Sequence, residues 1–351
     1  MWPFSAFFAV SGVSSLISNR KKSNTRVYIL FCGLILFCIA AFRDKSIGTD
    51  TISYITQFLS FRYRDWDSVF GSHGVRKEYG YFALIKILSS VTDNYTVLLA
   101  VVALIFTAAV CLFIYRYSRI PFLSFVLLVC MGFFYFSLSG LRQVIAMSIL
   151  IFSYKYVRER KLVPFLLLVA LAYLFHNTAI VFLIAYPLAY IKVNWKHFVV
   201  VVGAMIMSLF FQAQVKAFIF EVLGWERIAI YKKHGYTLTL TGFLIQLSIM
   251  FFTMLYYRQI RENEPKDISL YNLMFLGLIF QVFTPVISEF FRISMYFSVF
   301  NIALVPNALM HEKNKNIAYL YYFFIIAISL IYFYLFGGRH SDIIPYKFIG
   351  N

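Results

Sequence analysis

Charge is scarce in this chain. Charged residues make up 13% of its 351 positions, about half the share of a soluble domain. Acids are the scarcer sign, 15 against 32 Lys and Arg. The apolar share is 61%, more than one soluble core of this length can hide. These shortages exclude a soluble enzyme, a disordered chain and a fibrous repeat. Cysteine is rare as well. Cys32, Cys38, Cys111 and Cys130 all lie inside apolar runs, so neither a disulfide framework nor a zinc site is expected. The chain has no P-loop, HExxH, GxSxG or CxxC pair, no repeat of fixed period and no low-complexity tract.

What the chain has is long apolar runs. They predict an all-α, polytopic integral membrane protein, a single transmembrane domain over residues 1–351. About twelve spans are expected, near 2–18, 27–42, 95–115, 120–137, 140–157, 162–175, 178–191, 197–211, 238–257, 270–287, 291–309 and 316–336. Those between 162 and 191 are short for a bilayer and are expected to be tilted, broken or re-entrant. The charges Arg20, Lys21, Lys22 and Arg26 follow the first run rather than precede it, so it reads as a span and not as a leader. Placing the N-terminus outside puts 17 of the 32 basic residues into short inner loops, as the positive-inside rule requires. The excess of positive charge is therefore topology, and no nucleic-acid partner is expected. Two outer segments are long, 43–94 and 212–237. The first contains Lys77–Thr92, apolar at helical spacing but too short to span, which reads as an interfacial helix.

Polar residues at the outer ends of spans are the informative ones, because burial near lipid is costly. Four clusters stand out. After the second span comes Arg43-Asp44-Lys45-Ser46-Ile47-Gly48-Thr49-Asp50-Thr51. It reads as a glycine turn with Thr49 or Asp50 capping the next helix, or as a cluster with Arg43 on a phosphate and Asp50 as base. Glu78-Tyr79-Gly80-Tyr81 opens the interfacial helix, with Glu78 either a first-turn acid or a functional carboxylate. Arg142 and Gln143, after Ser139-Gly140, sit at a span start on the predicted outer face. Arg142 there is either a snorkelling side chain or a fork held for an anion, beside the free N–H groups of a helix start. Phe175-His176-Asn177-Thr178 places an imidazole in an apolar stretch. It is a structural group or a group for proton transfer.

Weaker signals remain. Glu289 and Arg292, three apart, read as a pair or as a further anion contact. Asp65-Trp66-Asp67 is a DxD that could ligate a divalent metal, but Arg62 and Arg64 beside it are equally able to neutralise it. No metal or other cofactor is favoured. His73, His234 and His340 lack ligand spacing.

The motifs GTDTxxY (Gly48–Tyr54), ExGY (Glu78–Tyr81), SGxRQxIA (Ser139–Ala146) and AxxFHxTA (Ala172–Ala179) occur in this order. With the multi-span background the chain resembles the EpsG/Wzy-type polysaccharide polymerases, most closely over residues 43–190. FRxSxYF (Phe291–Phe297) is similar to the family's later arginine region. Tyr79 stands where the family often has Pro.

The resemblance implies a polytopic helical core like that of GT-C membrane glycosyltransferases, in the bacterial inner membrane with the active face outward. It implies transfer of a growing glycan from undecaprenyl diphosphate to the free end of the next lipid-linked repeat unit. Donor and acceptor are then both lipid-linked oligosaccharides. Membrane lipids, a chain-length regulator and a flippase are the expected partners. The catalytic candidates are Arg142, His176, Glu78 and Asp50. Arg43, Arg142, Gln143 and Arg292 are the diphosphate contacts, and Tyr54, Tyr81, Asn177 and Glu289 are further substrate contacts. Which of Glu78, Asp50 and His176 is the base stays open. Two other readings stand beside this one: a flippase, which needs charges in mid-span where few are found, and a membrane O-acyltransferase, which needs its histidine facing the inner side.

Overall fold

The computed structural model of the protein describes residues 1–18, 22–70, 78–223, 241–337 and 342–350. Among these the chain is all-helical, with one isolated antiparallel bridge between Arg43 and Phe348. It divides into two compact units, Met1–Leu183 with Glu312–Asn351, and Ile184–His311.

The first unit runs α1 (Trp2–Ser18), α2 (Lys22–Ala41), α3 (Thr51–Phe61), α4 (Asp67–Phe70), α5 (Tyr79–Val91), α6 (Tyr95–Tyr117), α7 (Pro121–Cys130), α8 (Phe133–Ser139), α9 (Leu141–Arg158) and α10 (Leu162–Phe175). Local chemistry sets several of these boundaries. Asn94 caps α6 by accepting from the Thr96 N–H at 3.0 Å. Pro121 opens α7, where its missing N–H is not needed. Gly132 has φ +86°, and the chain bends by 51° between α7 and α8 there. A span expected over 120–137 is thus two short helices. The core of this unit is α6, packed against α2 on one side and α9 on another, with α9 against α10.

The second unit holds α11 (Ala185–Leu188), α12 (Trp195–Phe210), α13 (Gln212–Leu223), α14 (Thr241–Met254), α15 (Tyr257–Asn263), α16 (Ile268–Val282), α17 (Phe290–Ser298) and α18 (Asn301–Leu309). Asn194 and His197 form a capping box on α12. Asn272, buried in α16, donates to Ala189 O at 3.0 Å and Ile191 O at 2.9 Å. The last helix, α19 (Lys315–Phe336), belongs to the first unit.

Among the described residues, three helices are long and apolar enough to cross a membrane: Asn24–Ala41, Tyr95–Tyr117 and Lys315–Phe336. Counting each bent pair (α7 with α8, α12 with the start of α13) as one span gives five. This is a membrane protein by that measure, with fewer full-length spans than the twelve apolar runs suggest. The difference lies in length: five further apolar helices have only 10–17 residues, below the roughly 20 that a span needs. The runs at 162–191 are broken, as expected. α10 stops at Phe175 and a three-ten turn, Asn177–Ile184, follows. Two segment readings change. Residues 212–223 of the expected second outer loop are helical, and 224–237 lie outside the described residues. The interfacial helix is Tyr79–Val91, with Lys77 outside the described residues. His73, His234 and His340 lie outside them too.

Candidate active site

The four motifs converge in the first unit. Glu78 stands just before α5, at its N-cap position, but its side chain caps nothing. Its carboxylate instead faces two partners from distant parts of the chain. Arg142 Nη1 donates to Oε2. His176 Nδ1 lies 2.7 Å from Oε1. The expected first-turn acid is therefore the hub of an Arg–Glu–His cluster.

Small residues make this approach possible. A Cβ on Gly80 would stand 3.0 Å from Leu174 Cβ and 3.1 Å from Leu174 O. The glycine of ExGY thus lets α5 press on the end of α10, two residues from His176. Helix α10 ends there because His176 leaves the helix with φ −155° and ψ 120°. Its backbone N–H closes the last turn on Ala172 O at 3.0 Å. Gly140 precedes α9 where a Cβ would sit 2.8 Å from the Phe136 ring, so Arg142 enters from a tightly packed corner.

Two tyrosines hold the guanidinium from the side. Arg142 Cζ lies 5.6 Å from the Tyr54 ring centroid and 5.8 Å from that of Tyr81. The rings meet edge to face at 5.7 Å. Tyr54 comes from GTDTxxY and Tyr81 from ExGY. Read from sequence as substrate contacts, both are nearly buried (6% and 0% exposed) and form a cradle for Arg142.

Exposure sorts the roles. The Glu78 side chain is 4% exposed, against 12% for Arg142 and 20% for His176. The carboxylate is the most enclosed of the three and the imidazole the most open. Arg142 Nε, Tyr81 OH and the Asn177 Oδ1 beside His176 are buried without a hydrogen-bond partner. Such atoms are costly to leave unpaired, by about 1–3 kcal/mol each.

Burial alone would raise the Glu78 pKa. The hydrogen bond and charge of His176, then the charge of Arg142, overcome it and hold the carboxyl below its ordinary value. An ionised Glu78 can only accept, so His176 Nδ1 carries the proton of their hydrogen bond. The cluster thus holds an oriented imidazole next to a guanidinium.

Other sequence candidates fall elsewhere. Arg43 is buried, and its guanidinium donates to Ala40 O and, at 3.0 Å, to Leu138 O. Asp50 is half-buried at the N-cap position of α3 and makes no capping bond. Gln143 is buried in α9. Glu289 and Arg292 belong to the second unit. Glu289 accepts from Ser288 Oγ at 3.0 Å, and Arg292 is exposed one turn along. Asp65 and Asp67 are exposed, and among the described residues no three His, Cys, Asp or Glu side chains form a metal-holding group. Sequence reasoning missed Thr51, whose Oγ1 donates to Ile47 O at 2.7 Å and Leu138 O at 3.2 Å. It also missed residues 342–350, which lie along the first motif.

Comparison with known proteins bears on the whole chain. Neither the curated proteins nor the solved structures gave a match. The model of the EpsG family matches residues 26–348, which takes in all four motifs, the Phe291–Phe297 region and the C-terminal segment beside the first motif. The chain belongs to the EpsG family.

Proposed function

We propose that this protein is a polysaccharide polymerase that transfers a growing glycan from a lipid diphosphate to the terminal sugar of a lipid-linked repeat unit. Family membership supports a polymerase of this type. The observation that carries the chemistry is the single Glu78 carboxylate bridging Arg142 and His176.

In this reading the acceptor hydroxyl loses its proton to His176 Nε2 as its oxygen attacks the anomeric carbon. The anomeric C–O bond to the diphosphate breaks, and the electron pair leaves with the phosphate oxygen. Arg142 stabilises that developing charge more in the transition state than before it. Glu78 orients the imidazole and balances the proton it gains, as the carboxylate does in other carboxylate–histidine pairs. The geometry favours His176 over Glu78 and Asp50 as base, because Glu78 is buried behind it and Asp50 is not in the cluster.

The finer features rest on the family resemblance. The lipid carrier is undecaprenyl diphosphate. The site faces outward from the bacterial inner membrane. The fold is a GT-C-like bundle of about twelve membrane crossings. Arginine does the charge work without a metal. Arg292 is a further diphosphate contact, and a flippase and a chain-length regulator act before and alongside the enzyme.

The test is polymerisation by purified protein of a defined lipid-linked repeat unit. Ladder formation that survives EDTA and disappears in His176→Ala and Arg142→Ala supports the reading. Full-length polymer from both variants removes the site. Accessibility labelling that places Arg142 and His176 on the cytosolic side removes the outward-facing reaction.

A further inference from the structure

We propose that residues 342–350 act as a strap that positions Tyr54 and Arg142 for the reaction, with Tyr346 as its anchor. This rests on the polymerase reading for its effect on rate, but not for its effect on structure.

The segment runs beside the loop that leads into the first motif. The Ile349 N–H donates to Phe42 O at 3.0 Å, and the Asp44 N–H donates to Lys347 O at 3.0 Å. Arg43 and Phe348 form the one isolated bridge, and the Gly48 N–H donates to Asp342 O at 3.1 Å. Side chains fasten the segment. Ile343 is fully buried and Tyr346 is 6% exposed. The Tyr346 hydroxyl donates to Ile39 O, at the end of α2. Its ring packs edge-on against Phe4 at 5.6 Å and against Phe348 at 5.1 Å.

The loop so held grips the site from behind. Arg43 and Thr51 both donate to one carbonyl, Leu138 O. Gly48, at φ +94°, lies so close that a Cβ would stand 2.4 Å from that oxygen. Leu138 lies in the last turn of α8, and Arg142 follows four residues later in the first turn of α9. Thr51 opens α3 and presents Tyr54 three residues later. The strap therefore fixes the loop, the loop fixes two helix starts, and these fix an arginine against the tyrosine that cradles it. None of the strap residues is placed in contact with the site cluster, so they are positioning residues. This also gives a role to Arg43, a buried cation whose Nη1 and Nη2 donate to Ala40 O in α2 and to Leu138 O.

The experiment compares wild type, Tyr346→Phe and Tyr346→Ala, purified in nanodiscs. Hydrogen–deuterium exchange is followed by mass spectrometry, and turnover is measured with a defined lipid-linked repeat. Tyr346→Phe keeps the ring and loses one hydrogen bond, so it stays informative if Tyr346→Ala fails to fold. The strap predicts faster exchange across residues 43–54 in Tyr346→Phe, and more so in Tyr346→Ala. It predicts a fall in kcat of about tenfold in Tyr346→Ala, with KM within about twofold of wild type and Tyr346→Phe in between. Unchanged exchange at 43–54 in Tyr346→Phe overturns the strap. A raised KM with kcat kept also overturns it, since that marks a segment that touches substrate. Exchange is read without substrate, so a wild type that makes no polymer sinks the proposed function and leaves the strap to be judged on exchange alone.

Discussion

His176 Nδ1 lies 2.7 Å from Glu78 Oε1 across 98 residues of sequence. That contact divides labour between two groups that the sequence left as rivals for one role. The carboxylate is enclosed and the imidazole is at the edge, which is why the proposed reaction gives the proton of the acceptor to the imidazole.

The division is testable by substitution. His176→Ala should lower polymerisation by about 10²–10⁴-fold, the usual worth of a positioned proton acceptor. Glu78→Gln keeps the size of the side chain but loses the charge that fixes the tautomer. It should lower kcat by at least about tenfold while leaving the protein in the membrane. Single-turnover kinetics with a lipid-linked repeat separates these losses from weaker binding. A Glu78→Gln variant as fast as wild type would exclude the carboxylate from the mechanism.

Arg142→Lys asks whether charge alone suffices. Lysine keeps the cation but loses the planar fork and the fit between Tyr54 and Tyr81. Arg142→Ala should cost about 10²–10³ in rate, and Arg142→Lys should recover only part of it. The measurement is kcat and kcat/KM, which should fall together if the contact forms mainly in the transition state. Full activity of the lysine variant would reduce Arg142 to a point charge.

Glu78 also sets a pH dependence of stability. Its folded pKa lies below the ordinary carboxylate value, so the unfolded chain protonates first as pH falls. The stabilisation is therefore complete above the unfolded value of about 4.3 and is lost as pH drops through the lower folded value. Thermal melts of the wild type in detergent should lose more stability below about pH 4 than melts of Glu78→Gln, which cannot titrate there. Parallel curves would show that the carboxyl is not held ionised by its partners.

Two glycines with the same backbone problem give a controlled comparison. Gly48 and Gly132 have φ +94° and +86°, so Ala at either position carries a left-handed penalty of about 1–2 kcal/mol. A Cβ at Gly132 meets nothing within 4 Å, whereas at Gly48 it meets Leu138 O at 2.4 Å. Gly48→Ala should therefore lower the melting temperature well beyond Gly132→Ala and should also reduce polymerisation. Equal effects on both measures would mean that the loop yields around Leu138.

Much of the site was legible in sequence, because polar residues at the ends of apolar runs have no topological reason to be there. That logic finds Glu78, Arg142 and His176. It also finds Arg43, which carries the same guanidinium at the end of another apolar run. What separates Arg43 from Arg142 is a carbonyl in reach of one and a carboxylate in reach of the other, and both partners come from distant sequence. The aromatic cradle was half legible: Tyr54 and Tyr81 were marked by their motifs, but their use against Arg142 depends on how α3, α5 and α9 meet. Helix existence followed from the apolar runs. Helix length did not, because a glycine at 132 divides the run 120–137 that hydropathy reads as continuous. The strap left no signal, since Ile343 and Tyr346 are ordinary apolar and aromatic residues until their partners are known.

The early stop of α10 has a consequence for how a greasy substrate is handled. Its 14 residues extend about 21 Å, well short of a hydrocarbon layer of about 30 Å. In the proposed reading, with Lys161 at the inner surface, the imidazole at the tip of so short a rod stays below the outer water boundary. On that reading a polyprenyl tail keeps its place in the lipid while its sugar end reacts, so the energy of solvating the tail does not enter the turnover.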